Sequence, residues 1–129
     1  MSLFPGFIQE PSTGGTATSS RQQFREFTIG GTISPNDPFN INTGVWDTAG
    51  AQSVFASYGT LVMPTSATDF RDDTRIRVWL NGISQSKGAN AGDNRDCYYI
   101  STVPPKIAFN VRLRVSNYVK IESPSAYPA

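Results

Sequence analysis

Aspartate carboxylates are the side chains whose spacing in this sequence comes nearest to a chemical site. Three of them lie within residues 69–73, and Asp93 and Asp96 follow in a later polar loop. Calcium takes several oxygen ligands of this kind. However, Arg71 and Arg75 lie within or beside the first cluster and would compete for its carboxylates, and the spacing lacks the closing glutamate of an EF-hand. We therefore expect ion pairs or solvated loop charge here, and we predict no metal site.

Catalytic chemistry has few starting points in this chain. The sequence contains no histidine, and Cys97 is its only cysteine. A Ser-His or Cys-His nucleophile pair therefore cannot form within one chain, and a zinc site would need several copies that each donate Cys97. Two aspartates could serve as the acid and base of a glycosidase, but aspartates in different loops are too common to indicate one. We rank enzyme function last, expect no cofactor, and interpret Cys97 as a buried core thiol.

A second set of residues combines arginine with an aromatic ring. Arg75 and Arg77 alternate in phase with Trp79, and Arg112 and Arg114 share one face of a later segment. If the two segments are neighbouring strands, four guanidinium groups and one indole share a surface. Arginine and tryptophan are enriched at the hot spots of protein interfaces. The same set could bind single-stranded nucleic acid by stacking and charge. A solvated sheet face balanced by acidic neighbours is the third interpretation.

Net charge helps to rank these interpretations. The 129 residues include 11 basic and 10 acidic side chains, which gives a net charge of +1. Attraction to phosphate is therefore weak, and nucleic acid is the least favoured partner. No apolar run approaches the length of a membrane span, and the first residues lack the features of a signal peptide, so we expect a soluble protein without a membrane partner.

Apolar residues also occur in both polar terminal segments. Residues 14–20 are small and polar, which is typical of a linker, yet Phe4, Phe7 and Ile8 precede them and Tyr127 lies in the tail. Terminal segments are commonly disordered unless something holds them. We predict an extended N-terminal arm over residues 1–22 and a tail over 123–129, with these apolar side chains bound to a neighbouring subunit.

Between the arms, alternation of apolar and polar residues predicts strands. The strand candidates are residues 24–33, 53–63, 75–80, 97–103, 106–115 and 118–121. The dipeptide Asn81-Gly82 predicts a type I′ hairpin turn, and Ser116-Asn117 predicts a turn before the last strand. Residues 54–58 could instead form one helical turn, and no helix of three turns or more is predicted. We expect an all-β fold, a single antiparallel β-sandwich or jelly-roll-like domain over residues 23–122.

The order of these segments resembles small β-sandwich proteins of tailed bacteriophage particles. The residues that carry the resemblance are Arg75–Ile83 with its Leu-Asn-Gly, the polar loop 87–96, Tyr98-Tyr99-Ile100, Ile107-Ala108-Phe109 and Val119-Lys120-Ile121. This layout is similar to the one that recurs in tail-fibre modules and in capsid decoration (cement) proteins. The resemblance implies a virion protein, assembled in the host cytoplasm, that forms a homo-oligomer and contacts the major capsid protein or another virion protein.

Three functions therefore remain as hypotheses. The first is a non-enzymatic cement or decoration protein that braces a phage capsid through its arms, which the extended termini favour over a fibre module. The alternative is a tail-fibre or receptor-binding module in which Trp46, Trp79 or Tyr98 stacks on a host glycan. The second alternative is a single-stranded nucleic-acid-binding protein whose surface comprises Arg75, Arg77, Trp79, Arg112 and Arg114.

Overall fold

The computed structural model describes residues 22–124, which form two β-sheets, one short α-helix and one turn of 3-10 helix (Ala91–Asp93). In chain order the strands are β1 (Gln23–Thr28), β2 (Phe39–Asn40), β3 (Val45–Trp46), β4 (Gly50–Ala51), β5 (Ser53–Tyr58), β6 (Arg77–Leu80), β7 (Ile83–Ser84), β8 (Lys87–Gly88), β9 (Cys97–Ser101), β10 (Lys106–Phe109) and β11 (Tyr118–Ser123). The helix α1 (Ala67–Asp72) lies between β5 and β6. The expected all-β sandwich is confirmed.

The two sheets have different strand orders. One sheet has five strands in the order β5-β1-β11-β6-β7, and the other has six in the order β4-β3-β2-β10-β9-β8. Neighbouring strands are antiparallel, with the exception of β8 and β9, which are parallel. The chain therefore crosses between the sheets several times, and consecutive strands, such as β10 and β11, can lie in different sheets.

Aromatic side chains fill the space between the sheets. Trp46 stacks on Phe39 with ring centroids 4.0 Å apart, and Phe39 in turn stacks on Phe109 at 5.8 Å. Phe27, from the five-stranded sheet, meets both Phe39 and Trp46 edge-on. These rings are almost completely buried, and removing a large apolar side chain from water contributes about 1.5–3 kcal/mol. This cluster holds the two sheets together.

Several strands are shorter than the alternation predicts. The predicted strand 106–115 ends at Phe109: Asn110 N–H still donates to the carbonyl of Asp96, just before β9, but Val111 beyond it is exposed. Of the remaining predicted apolar positions, Leu113 is buried through a single bridge to Ile33, whereas Val115 is exposed. Similarly, the predicted strands 24–33 and 53–63 end at Thr28 and Tyr58, and glycine follows within two residues in both cases.

The turn predictions are confirmed. Asn81 and Gly82 both have positive φ, 54° and 81°, and they join Leu80 to its partner Ile83 as a type I′ turn requires. Asn117 N–H donates to the carbonyl of Arg114 at 3.0 Å, which closes the turn before β11. The alternative of a helical turn at residues 54–58 is wrong, since that segment is β5.

Helix α1 was not predicted, although it has a recognisable start. The Ser66 hydroxyl accepts a hydrogen bond from Asp69 N–H at 3.1 Å, which caps the first turn. Phe70 is the buried residue of this helix and packs near Tyr99. No helix among residues 22–124 is long and apolar enough to cross a membrane.

The boundaries of the sandwich differ slightly from the prediction. Strand β11 extends through Ser123, which is buried and accepts a hydrogen bond from Val62 N–H at 3.0 Å. Ser123 therefore belongs to the sheet and not to a tail. The predicted arm residues Phe4, Phe7 and Ile8, and Tyr127 of the tail, lie outside the described residues.

Candidate functional site

The predicted arginine surface does not assemble as the sequence suggested. The prediction required the two strands that carry the arginine pairs to be neighbours. Instead, β6 pairs with β11 and β7, whereas β10 lies in the other sheet and pairs with β2 and β9. Arg112 and Arg114 are exposed beyond the end of β10. Arg75 precedes β6 and pairs with Asp73 at 2.9 Å. Of the five residues, only Arg77 and Trp79 share the outer face of a strand.

Two of the three aspartates near α1 form ion pairs, in line with the expectation. Asp72 binds Arg71 at 2.8 Å and Asp73 binds Arg75, and these arginine hydrogen bonds lower the pKa of both carboxyl groups. They line an open cleft of about 470 Å³. Within residues 22–124, no three His, Cys, Asp or Glu side chains are arranged to hold a metal ion.

Two of the three aromatic residues proposed for glycan stacking are inaccessible. Trp46 is 1% exposed because it lies in the core stack, and Tyr98 is 7% exposed with its hydroxyl donating to Asn36 Oδ1 at 3.0 Å. The prediction is therefore wrong for Trp46 and Tyr98. Cys97 is fully buried, and burial raises the pKa of its thiol to about 12, which confirms the expected core thiol.

A different surface brings aromatic and charged side chains together: the outer face of the five-stranded sheet. We call it the aromatic face, and it comprises Phe24, Glu26, Phe55, Tyr58, Arg77, Trp79, Tyr118, Lys120 and Glu122. Alternation along the strands places these residues opposite the buried side chains Phe27, Val78, Val119 and Ile121. The face therefore follows directly from the pleat of β1, β6 and β11.

Cross-strand pairing arranges this face in rows. The central row runs Ala56–Glu26–Lys120–Trp79–Ser84, and the adjacent row runs Tyr58–Phe24–Glu122–Arg77. Directly opposed residues have close Cβ atoms and interact. Each row places a basic residue beside an acidic one, so opposite charges meet in the middle of the sheet.

Lys120 is the centre of the aromatic face. Its ammonium lies 5.4 Å from the centroid of the Trp79 ring and 5.6 Å from that of Phe24, both within the range of cation–π attraction. Glu122 Oε2 is 3.5 Å from the same ammonium. Two rings and a carboxylate therefore hold one cation, and this restricts the motion of the long lysine side chain and of the rings that flank it.

The edge of the face nearest β5 is organised around Tyr118. The Tyr118 hydroxyl donates a hydrogen bond to Glu26 Oε1, and the Phe55 ring lies 5.8 Å from the Tyr118 ring. Burial, together with the bond to Glu26, raises the pKa of Tyr118 to about 12. Phe55 itself is 57% exposed.

The charges of the aromatic face cancel. Arg77 and Lys120 are matched in number by Glu26 and Glu122, so the surface offers rings with no excess of either charge, and Lys120 and Glu122 form an ion pair. A nucleic-acid surface would need an excess of basic residues. Rings held in place at low conformational cost are typical of a surface that binds protein.

Part of this surface could have been predicted from the sequence. The alternation of Tyr118, Lys120 and Glu122 against Val119 and Ile121 is visible in the printed sequence and predicts an outward aromatic and charged stripe. The sequence does not show that β11 lies between β1 and β6, because these strands are far apart along the chain. That adjacency is what brings Phe24 and Trp79 to the two sides of Lys120.

Comparisons of the chain with protein-family models, with curated proteins and with solved structures returned no match.

Proposed function

We propose that this chain is a non-enzymatic structural virion protein, a cement or decoration protein of a tailed-phage capsid, which binds neighbouring subunits through its aromatic face. The observation that carries the proposal is the cluster around Lys120: two rings and a carboxylate hold one cation on an otherwise open sheet face. In this proposal the major capsid protein or another virion protein covers that face.

The physics of the cluster favours a protein partner. Binding is weakened by the entropy of ordering side chains at the interface, and residues already held by their neighbours lose less on binding. Trp79 and Phe24 are held through Lys120, and Tyr118 is held through Glu26. A modest contact is sufficient in a capsid, because symmetry repeats it and effective concentration strengthens the assembly.

The terminal residues complete the proposal. Phe4, Phe7 and Ile8, together with Tyr127, lie outside the described residues, and we propose that they bind adjacent capsid subunits. A chain without residues 1–20 is expected to retain the circular dichroism of the intact protein but to co-sediment less with phage heads. Equal co-sedimentation would show that the N-terminal residues have no bracing role.

Substitution of one ring tests the role of the aromatic face. The full chain and its Trp79→Ala variant are mixed with heads of the phage that encodes it, and the bound fraction is measured by co-sedimentation. We expect at least a tenfold loss of affinity, since truncation of an interface hot spot commonly costs about 2 kcal/mol or more. The control is Val103→Ala, because Val103 is 90% exposed on the loop after β9. Equal loss in both variants, or loss in neither, would contradict the proposal.

Two further outcomes would replace this function with another. Binding of the wild-type chain to a glycan array, abolished by Trp79→Ala, would identify a receptor-binding module. Retention on single-stranded DNA that falls steeply with added salt would identify a nucleic-acid-binding protein. We expect neither, because the face has no excess of basic charge to attract nucleic acid, and Trp79, the accessible ring of the three proposed for glycan stacking, already packs against Lys120.

A further inference from the structure

Strand β5 differs from every other sheet edge in the described part of the chain. The four edge strands are β5 and β7 in one sheet and β4 and β8 in the other. Three of these have two residues each, whereas β5 has six. Very short edge strands are one of the devices by which proteins prevent edge-to-edge pairing. Three edges of the sandwich are therefore protected because their strands are short, whereas the fourth edge strand, β5, is long.

The sequence of β5 offers neither charge nor proline to block an added strand, and its one irregularity is the bulge at Phe55. Residues 48–68 carry no charged side chain, and β5 itself has no proline. Val54 is 39% exposed and Phe55 57% exposed, so apolar side chains lie at the rim. One side of β5 pairs with β1, and no strand within residues 22–124 pairs with the other. A long, uncharged and partly apolar edge is suited to receiving another strand.

The pairing of β5 with β1 fixes which way its side chains point. Ser53, Ala56 and Tyr58 lie opposite Thr28, Glu26 and Phe24, which are outward residues of β1. Val54 lies opposite the buried Phe27, so it faces the core side, and Ser57 shares that side opposite Arg25. A β-bulge interrupts the pairing opposite Glu26 and Phe27, and Phe55 is the additional residue of that bulge. The ring of Phe55 contacts that of Tyr118, which places Phe55 on the outer face.

We infer that β5 pairs with β5 of a second copy of this chain, antiparallel about a two-fold axis between Phe55 and Ala56. In that register Ser53 lies opposite Tyr58 of the other copy, Val54 opposite Ser57, and Phe55 opposite Ala56. Each pair has both side chains on the same face, as antiparallel neighbours must. Each pair also places a large side chain against a small one. This self-complementarity is what a two-fold interface requires.

The same chemistry makes a second copy the preferred occupant. Two β5 strands meet without like charges, since no charged residue lies within residues 48–68. The N-terminal segment of the chain is less suitable as the added strand, because Pro5, Gly6 and Pro11 flank its apolar residues and proline gives no donor to a sheet ladder. Pairing joins the two five-stranded sheets into one of ten strands and makes the two aromatic faces continuous.

This inference deepens the proposed function, on which it rests, by naming the surface through which copies join. The test is sedimentation velocity of the full chain from about 1 to 200 µM. We expect a concentration-dependent monomer–dimer equilibrium for the wild type. Ala56→Lys places two cations beside the two-fold axis and is expected to weaken dimerisation at least tenfold. The matched control Ile83→Lys, on the short edge β7, is expected to dimerise like the wild type.

Hydrogen exchange of the same samples identifies the pairing strand. Exchange of those β5 amides that do not bond to β1 is expected to slow as the wild-type concentration rises, and to be independent of concentration in Ala56→Lys. A wild type that stays monomeric at 200 µM overturns the inference, as does dimerisation that Ala56→Lys leaves unchanged. Slow exchange of these same amides at every concentration overturns it too, and points to the chain's own terminal residues as the occupant. Separately, co-sedimentation of Ala56→Lys with phage heads shows whether capsid binding survives without the dimer.

Discussion

The two faces of the five-stranded sheet use the same kinds of residue for different purposes. On the inner face Phe27 meets the stacked rings of Phe39 and Trp46, and all three are almost fully buried. On the outer face Phe24 and Trp79 flank a lysine and remain partly open to solvent. Burial on the inside gives ring packing a large effect on stability. Partial exposure on the outside leaves the rings available to a partner.

The six-stranded sheet shows that an outer face need not stay open. Tyr98 and Ala108 face each other across β9 and β10, yet both are buried, because the loop through Asn36 lies over them and accepts the Tyr98 hydrogen bond. The backbone N–H of Asn36 also donates to Phe109. The outer face of the six-stranded sheet is therefore covered at Tyr98 and Ala108, although Ile100 of β9 stays exposed, whereas the aromatic face has no such covering loop within residues 22–124.

The largest expected effect is on the inner face. Trp46→Ala removes the ring that stacks on Phe39 at 4.0 Å and leaves a cavity between the sheets, so the free energy of unfolding should fall by about 3–5 kcal/mol. Chemical denaturation measures this change. Trp79→Ala is the matched variant on the outer face and should cost less than about 1.5 kcal/mol. Similar losses of unfolding free energy in the two variants would show that the two faces do not differ in their contribution to stability.

A pair of glycines separates packing from backbone strain. Gly44 and Gly82 both have positive φ, 71° and 81°. A Cβ at Gly44 would lie 2.7 Å from the Phe27 ring, whereas a Cβ at Gly82 would meet nothing within 4 Å. We expect Gly82→Ala to cost about 1 kcal/mol from strain alone, and Gly44→Ala about 2–4 kcal/mol because overpacking adds to it. Equal losses of thermal stability would mean that the core yields to the added methyl group.

Alkaline pH should affect the outer face through Tyr118. Its pKa is raised to about 12 in the folded protein from an unfolded value near 10, so the stabilisation is complete below about pH 10 and is lost as the pH rises towards 12. Unfolding free energies measured from pH 9 to 12 should fall more steeply in the wild type than in Tyr118→Phe. Cys97, whose pKa is also about 12, contributes equally to both proteins and cancels in the comparison. Parallel curves would show that Tyr118 has no part in the pH dependence.

The smallest expected effect is at Lys120. Lys120→Gln keeps much of the side chain but removes the attraction to two rings, so the loss of unfolding free energy should be about 0.5–1 kcal/mol. Arg114→Gln, at an exposed position beyond β10, is the control and should change stability by less than about 0.5 kcal/mol. If both variants unfold alike, the lysine does not hold the outer rings.

Local features of the fold could be predicted from the sequence, and the neighbours of each strand could not. Asn81-Gly82 specifies its own turn because both residues tolerate positive φ. The alternation at 118–121 predicts β11 for a similar local reason. The strand predicted over 106–115 is wrong beyond Phe109, because alternation shows which side chains are apolar and does not show where pairing with a neighbouring strand ends.

The candidate site shows the same limit. Arg77 and Trp79 were predicted to share a face because they lie two residues apart on one strand. Lys120 and Phe24 were missed because they join that face only through the strand order β1-β11-β6. Trp46 was expected at a binding surface, but the two-residue strands β2 and β3 carry it into the core, and strands that short leave almost no periodic signal in a sequence.

In the proposed assembly, partners cover the aromatic face. Hydroxyl-radical footprinting tests this arrangement, because the oxidation of each side chain reports its exposure in the free chain and in the chain bound to phage heads. We predict that Trp79, Phe55 and Tyr118 become protected on binding, whereas Ile100 and Val103, exposed residues on and beyond β9, keep their reactivity. Unchanged oxidation of Trp79 and Phe55 in the bound chain, with protection at Ile100 and Val103, would contradict it.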